Sequence, residues 1–232
     1  MSKPLQACPK PLDQCRLYAF VDEAYRAARQ HEDLAEALCQ GGADIIQLRM
    51  KGQPHATICR VALALFPITQ AHGVHLIIND DVATATGLPS PFLHLGQEDF
   101  FDAGYLHVDE LRSRTACRSL KLGISTHAPS QAQRAIQAGA DYVAIGPVFA
   151  TPTKPSASPV TLDYVRWASA EVQIPWFCIG GIKQNNLTEV LNAGARRICV
   201  VSDILNHTDP ESQCRWFRST IEQYPLTHQG SP

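Results

Sequence analysis

Eight short runs of polar and glycine residues punctuate this chain: Gln47-Leu48-Arg49-Met50-Lys51, Asn79-Asp80, Gly96-Gln97-Glu98-Asp99, Ser125-Thr126-His127, Gly146-Pro147, Thr151-Pro152-Thr153-Lys154, Gly180-Gly181 and Val201-Ser202. In the first run Gln47, Arg49 and Lys51 lie two apart, so a strand points all three to one side and Leu48 and Met50 to the other. A planar arginine fork beside a lysine point charge suits a diphosphate; the same residues also make an ordinary solvated strand end. Asn79, Asp80 and Asp81 offer either a helix N-cap or a carboxylate for Mg²⁺, which takes one or two carboxylates together with substrate phosphates. Asp99 supplies a second carboxylate after the next strand, and two acids at adjacent strand ends favour the metal. Ser125-Thr126-His127 can cap the helix that follows, with His127 either an acid/base or a helix-start residue. The stretch from Gly146 to Pro155 is long and proline-rich, stiff enough to hold two hydroxyls and an ammonium over a ligand. Gly180-Gly181 and Val201-Ser202 let bare backbone amides approach a phosphate. Such a gathering indicates an enzyme that handles phosphate with a metal.

These runs need a scaffold that brings them together, and the hydrophobic pattern supplies one. Strands buried on both faces are expected at Leu17–Val21, Asp44–Leu48, Val74–Ile78, Phe92–Leu95, Leu120–Ile124, Tyr142–Ile145, Trp176–Ile179 and Ile198–Val201, all rich in Ile, Val and aromatics. Helices are expected between them, among others at His31–Gln40, Ser130–Gln137, Leu162–Ala170, Asn186–Asn192 and Ser212–Gln223. Three junctions, Gly42-Ala43-Asp44, Gly139-Ala140-Asp141 and Gly194-Ala195-Arg196, repeat one signature, a glycine closing a helix just before a strand. A doubly wound sheet shows the same alternation, but eight βα units favour an α/β fold closed as a single parallel (β/α)8 TIM barrel, with its active site on the loops after the strands. The barrel is expected over residues 16–225, with residues 1–15 and 226–232 loosely held extensions.

At 232 residues the chain suits one such barrel. Its net charge of −2 argues against nucleic acid or acidic membrane as partner. The eight cysteines include no C-x-x-C pair and read as buried free thiols. No run approaches the roughly 20 apolar residues of a membrane span, and MSKPLQACPKPLDQC lacks the apolar segment of a signal peptide. A cytoplasmic protein is expected. His72 and His75 sit on the side opposite the rim and read as structural, as do Trp167, Trp176 and Trp216 as packing residues.

Taken in order, QLRMK (47–51), IIND (77–80), HLGQEDF (94–100), GISTHAP (123–129), DYVAIGPVFATPTKP (141–155), PWFCIGGI (175–182) and VVSDI (200–204) resemble the motifs of the thiamine-phosphate synthase family. The resemblance spans roughly residues 17 to 205. It implies joining a hydroxymethylpyrimidine diphosphate to a thiazole phosphate, giving thiamine phosphate and diphosphate. It implies that Gln47, Arg49, Lys51, Asn79, Ser125 and Lys154 hold the pyrimidine diphosphate, with Arg49, Lys51, Lys154 and Ser125 catalytic. Asp80 and Asp99 match Mg²⁺ ligands, and Thr151, Thr153, Gly181, Val201 and Ser202 match the thiazole-phosphate site. The implied partners are these two small molecules, and the fold permits a homo-oligomer. Two positions depart from the family pattern: Met50 stands where Glu is usual, and Asp81, where a basic residue is common, adds negative charge beside the metal site. Two alternatives are a related barrel that isomerises the thiazole phosphate with an acid/base pair, and a non-catalytic regulatory barrel that binds thiamine phosphates. The first needs neither both Asp80 and Asp99 nor the Thr-x-Thr-Lys loop. Loss of cationic or metal residues would mark the second, and none is lost.

Overall fold

The computed structural model describes residues 7–151 and 159–224. The first half of the chain runs β1 (Leu17–Asp22), α1 (His31–Gln40), β2 (Ile45–Arg49), α2 (His55–Ala71), β3 (His75–Asn79), α3 (Val82–Gly87) and β4 (Phe92–Gly96). Two short helices, α4 (Gln97–Asp102) and α5 (Val108–Arg114), precede β5 (Lys121–Thr126). Then come α6 (Pro129–Gln137), β6 (Tyr142–Ile145), α7 (Thr161–Glu171), β7 (Trp176–Cys178) and α8 (Leu187–Asn192). The last elements are β8 (Ile198–Cys199), α9 (Ser202–Leu205) and α10 (Pro210–Gln223). The eight strands are parallel and close in sequence order, with Leu17 and Tyr18 of β1 pairing Ile198 and Cys199 of β8. This is the TIM barrel that the alternation predicts.

The three glycine junctions explain how helix passes into strand without a loop. Gly42, Gly139 and Gly194 take φ of +90°, +85° and +101°, a region closed to most side chains. Each donates its amide to the carbonyl three residues back, and the following alanine donates five residues back, as in Ala43 N to Leu38 O at 3.1 Å. That pair of bonds is the Schellman closure of a helix end.

Two layers of apolar packing hold the barrel. Outside, Leu48, Ile78 and Leu93 lie among the buried residues that pack against the helices. Inside, aromatic rings fill the lower half: Phe177 meets Tyr18 and Tyr142 edge-on at 5.4 and 5.3 Å, and Phe92 meets Tyr142 at 5.8 Å. Gly123 makes room for this layer, because a Cβ there would lie 2.0 Å from the Tyr142 ring.

The floor of the barrel, at the strands' N-terminal ends, is closed by the segment before β1. Residues 7–15, expected to be loosely held, are pinned there: Cys15 is fully buried, and His75 Nε2 meets the Lys10 carbonyl at 2.7 Å. Residues 1–6 and 226–232, also expected to be loose, lie outside the described residues, as does residue 225. Asp44 is the hub of the floor. It takes Lys10 Nζ at 2.9 Å, the amides of Arg16 and Leu17 at 2.6 and 3.2 Å, and the Arg218 guanidinium. Burial alone would raise its pKa, but Lys10, the two amides and Arg218 outweigh burial and hold the carboxyl below its ordinary 3.8. A depressed carboxyl pKa contributes stability above the unfolded value and loses it as pH falls through the folded value. Asp44→Ala is therefore expected to cost about 2 kcal/mol at neutral pH, since it leaves the amides of Arg16 and Leu17 without their acceptor and Arg218 with Glu222 alone. The gap from wild type should narrow in urea melts as pH drops below 3.8. Turnover, governed at the other end of the barrel, should not change.

Details differ from the sequence pattern for local reasons. Strand β7 stops at Cys178 rather than Ile179, because Gly180 turns to φ +105°. Strand β8 stops at Cys199 rather than Val201, whose ψ of −86° leaves the extended region and starts α9. All eight cysteines are free thiols, but Cys8 is exposed and Cys59 and Cys117 are half-buried, so the expected burial holds for five. Trp176 is packed inside, whereas Trp216 on α10 is 38% exposed and covers the surface only in part. No helix among the described residues is long and apolar enough to cross a membrane.

Candidate active site

A cavity of about 980 Å³, counting the space open to solvent, sits at the C-terminal ends of the strands. That size is in the range of small-molecule sites. Its lining follows the period of the strands. Gln47, Arg49 and Lys51 come from β2 and the residues just beyond it, and Tyr18 and Phe20 come from β1. Ser125 and His127 come from β5 and its end, and Cys199 and Val201 from β8 and its end. Met50 lies between two of these positions and is buried on the outer side, 4% exposed, as alternation requires.

Two ion pairs sit at the mouth among the described residues. Arg49 Nη1 lies 2.9 Å from Asp22 Oδ2, with Asp22 only 1% exposed. The other Asp22 oxygen accepts the Ala24 amide at 3.0 Å, so the carboxylate is fixed from two sides and aims the guanidinium. Lys51 Nζ lies 2.7 Å from Asp80 Oδ2, and both side chains are well exposed to the cavity mouth. Asp80 takes φ +64°, a left-handed conformation that Asp and Asn tolerate better than most residues. Asp99, in the first turn of α4, lines the same cavity, and its Oδ2 closes over Gly96, where a Cβ would lie 2.7 Å away.

Of the two readings open to Asp81, the helix cap is the one the structure shows. Asp81 caps α3, accepting the Thr84 amide at 2.8 Å, and meets His55 at 2.9 Å. Burial would raise its pKa, but the Thr84 amide and His55 outweigh burial and lower it. The capping role open to Asp80 thus falls to Asp81, and Asp81 is absent from the cavity lining. Its charge is spent on a helix end and a histidine.

Of the residues expected in the site, Gln47, Arg49, Lys51, Asn79, Asp80, Asp99, Ser125, Thr151, Gly181, Val201 and Ser202 all line this one cavity. Thr153 and Lys154 lie outside the described residues. His127 also lines it; its ring bonds the Gly146 carbonyl and its amide bonds Gln131 Oε1 at 2.6 Å, so it ties β5's end to β6's end. Sequence reasoning missed what β1 contributes. Tyr18 and Phe20 line the cavity and Asp22 orients Arg49, and the signal was available, since these three alternate on one face of Leu17–Asp22. It also missed the side chain of His94, which faces inward two residues before Gly96.

Among the described residues no three His, Cys, Asp or Glu side chains converge to form a metal cage. Two carboxylates on one cavity still fit Mg²⁺, which keeps several waters and completes its shell with substrate phosphate oxygens.

Fold and site define a parallel β/α barrel whose mouth gathers Arg49, Lys51, Asp80 and Asp99 on one cavity. The family model described as thiamine monophosphate synthase matches residues 17–204. A thiamine-phosphate synthase of Halalkalibacterium halodurans is 37% identical over 209 residues, covering 90% of this chain and 96% of the relative. Another, of Thermus thermophilus, is 40% identical over 190 residues, covering 82% of this chain and 88% of the relative. The solved thiamine phosphate pyrophosphorylase from Pyrococcus furiosus superposes with a TM-score of 0.80 at 25% identity, covering 92% and 98% of the two chains. The chain belongs to the thiamine monophosphate synthase family.

Proposed function

We propose that this barrel condenses 4-amino-2-methyl-5-hydroxymethylpyrimidine diphosphate with 4-methyl-5-(2-phosphoethyl)thiazole, releasing diphosphate and forming thiamine phosphate. The observation that carries this reading is the convergence of two sets of groups on one cavity: Arg49, Lys51, Asp80 and Asp99 on one side, Thr151, Gly181 and Ser202 on the other. The first set suits a diphosphate and its counter-ion, the second a single phosphate.

Diphosphate departs only if its developing charge is met, and fixed cations meet it without reorganising. Arg49, held by Asp22, is such a fixed cation. Lys51 would exchange its bond to Asp80 for a diphosphate oxygen, leaving that carboxylate to Mg²⁺. Asp80 and Asp99 would hold Mg²⁺, which supplies further neutralisation of the leaving group. Lys154 belongs to the same set by its place in the sequence motif. The aminopyrimidine then delocalises positive charge on its exocyclic carbon, and the thiazole nitrogen bonds to that carbon. The nucleophile has no proton to lose, so positioning rather than a general base governs the rate. Eight free thiols fit a reducing, cytoplasmic setting.

Steady-state kinetics with each substrate varied test the two subsites. Ser202→Ala removes a ground-state contact to phosphate and is expected to raise KM for the thiazole phosphate with kcat little changed. Lys154→Ala removes charge that matters as diphosphate leaves and is expected to lower kcat. The reverse pattern would overturn the assignment of the subsites.

A further inference from the structure

Beneath the charged mouth, a chain of hydrogen bonds crosses the barrel. Gln47 Nε2 lies 2.5 Å from Tyr18 Oη, which lies 3.0 Å from Tyr142 Oη. Tyr142 Oη lies 2.7 Å from His94 Nδ1, and His94 Nε2 lies 2.7 Å from Ser125 Oγ. Five strands contribute one residue each: β2, β1, β6, β4 and β5. Gln47, Tyr18, Tyr142 and His94 are buried, while Ser125 is half-buried at the cavity. The Tyr142 ring stacks on His94 at 5.6 Å and fills the space left by Gly123, so the chain is held by packing as well as by its own bonds.

Counting protons along this chain limits what it can present. Burial raises both phenol pKa values well above the ordinary range, so each phenol keeps its single proton. With one proton on the His94 ring, only two arrangements run the donors one way along every link. In the first, the Gln47 amide donates to Tyr18, Tyr18 to Tyr142, Tyr142 to His94 Nδ1, and His94 Nε2–H to Ser125; the Gln47 carbonyl and the Ser125 proton are then free for a ligand. In the second, the Gln47 amide is turned over, every bond reverses, and the free groups become the Gln47 amide and the Ser125 oxygen. A mixed arrangement leaves one buried link without a proton or with two, which burial makes unfavourable. The bond from Gln47 Nε2 to Tyr18 places the chain in the first arrangement.

We infer that Tyr18, Tyr142 and His94 form a positioning relay that couples Gln47 to Ser125, so that the cavity presents an acceptor at Gln47 whenever it presents a donor at Ser125. The ligand edge that matches is an amidine-type edge of a heteroaromatic ring, with an amino group beside a ring nitrogen. This deepens the proposed function and rests on its placement of the aminopyrimidine. The relay touches the ring only through its two ends. Its effect is to hold two contacts in one combination before the substrate arrives, which removes the cost of choosing it on binding.

Two measurements on the full chain test the relay. Nitrogen-15 NMR of the His94 imidazole, assigned by its loss in His94→Gln, should show one tautomer carrying its proton on Nε2. Tyr142→Phe, which removes one hydroxyl and keeps the ring, should return it to a mixture. A mixed tautomer in wild type would overturn the relay. The second measurement is a double-mutant cycle of Gln47→Leu and Ser125→Ala, read as KM for the pyrimidine diphosphate. The two effects should depart from additivity by about tenfold in wild type and become additive when Tyr142→Phe is present, with KM for the thiazole phosphate unchanged throughout. Coupling that survives Tyr142→Phe would overturn the relay, as would an equal shift in both KM values. If wild type formed no thiamine phosphate, the proposed function would fail while the tautomer measurement still decided the relay.

Discussion

Asp80→Asn and Asp99→Asn will each cut turnover about a hundredfold at limiting Mg²⁺ while leaving the melting temperature nearly unchanged. The size follows from the chemistry: a bound cation contributes several kcal/mol to a charged transition state, and about 2.7 kcal/mol is a hundredfold in rate. The small effect on folding follows from the local structure. Asp80 sits at φ +64°, where asparagine is also tolerated, and the helix cap belongs to Asp81, so neither strain nor a lost cap accompanies the change. Asp99 lies in the first turn of α4, where loss of one negative charge costs only a few tenths of a kcal/mol. Titration of activity with Mg²⁺ and a thermal melt on each variant check both halves. Wild-type activity at limiting Mg²⁺ in either variant would remove that residue from the proposed metal site.

Arg49→Met is the second change expected to be severe. It should cost at least about 2 kcal/mol in kcat/KM, roughly thirtyfold, because it removes charge-assisted bonds to the departing diphosphate. It should also lower stability, since Asp22, 1% exposed, is left as a buried carboxylate without its cation. Arg49→Lys separates the two effects by keeping the charge and losing the fork. Met50→Glu, one position away, serves as the contrast. Met50 is 4% exposed and faces the helices, so a carboxylate there strains packing and should lower the melting temperature. Its kcat/KM should nevertheless stay within about tenfold of wild type, or ~1.4 kcal/mol. A larger catalytic loss from Met50→Glu than from Arg49→Met, with both proteins folded, would contradict the role given to Arg49.

The contrast between neighbouring residues shows what was legible in the sequence. Period-2 spacing sorted Gln47, Arg49 and Lys51 from Leu48 and Met50, and glycines after helices located three strand starts, because both signals are local. The roles of Asp80 and Asp81 were not separable, since either carboxylate can serve as a cap or as a metal ligand until a backbone shows which one meets Thr84. Asp22 and the two tyrosines were missed for another reason: their partners lie far along the chain, Arg49 for Asp22 and, for Tyr18, Tyr142 at 124 residues' separation. Alternation in β1 marks the inward face but not what stands across the barrel. The floor was misjudged in the same way, because proline-rich sequence suggests a loose end, whereas Asp44 and His75 hold Lys10 by contacts that no spacing rule predicts.

The most direct measurement is product stoichiometry with the purified full chain, both substrates and Mg²⁺, following thiamine phosphate by mass and diphosphate by release. The account predicts one thiamine phosphate for each diphosphate, with neither product formed when either substrate or the metal is withheld. Isomerised thiazole phosphate without diphosphate release, or tight binding of thiamine phosphate with no turnover of the two precursors, would contradict it.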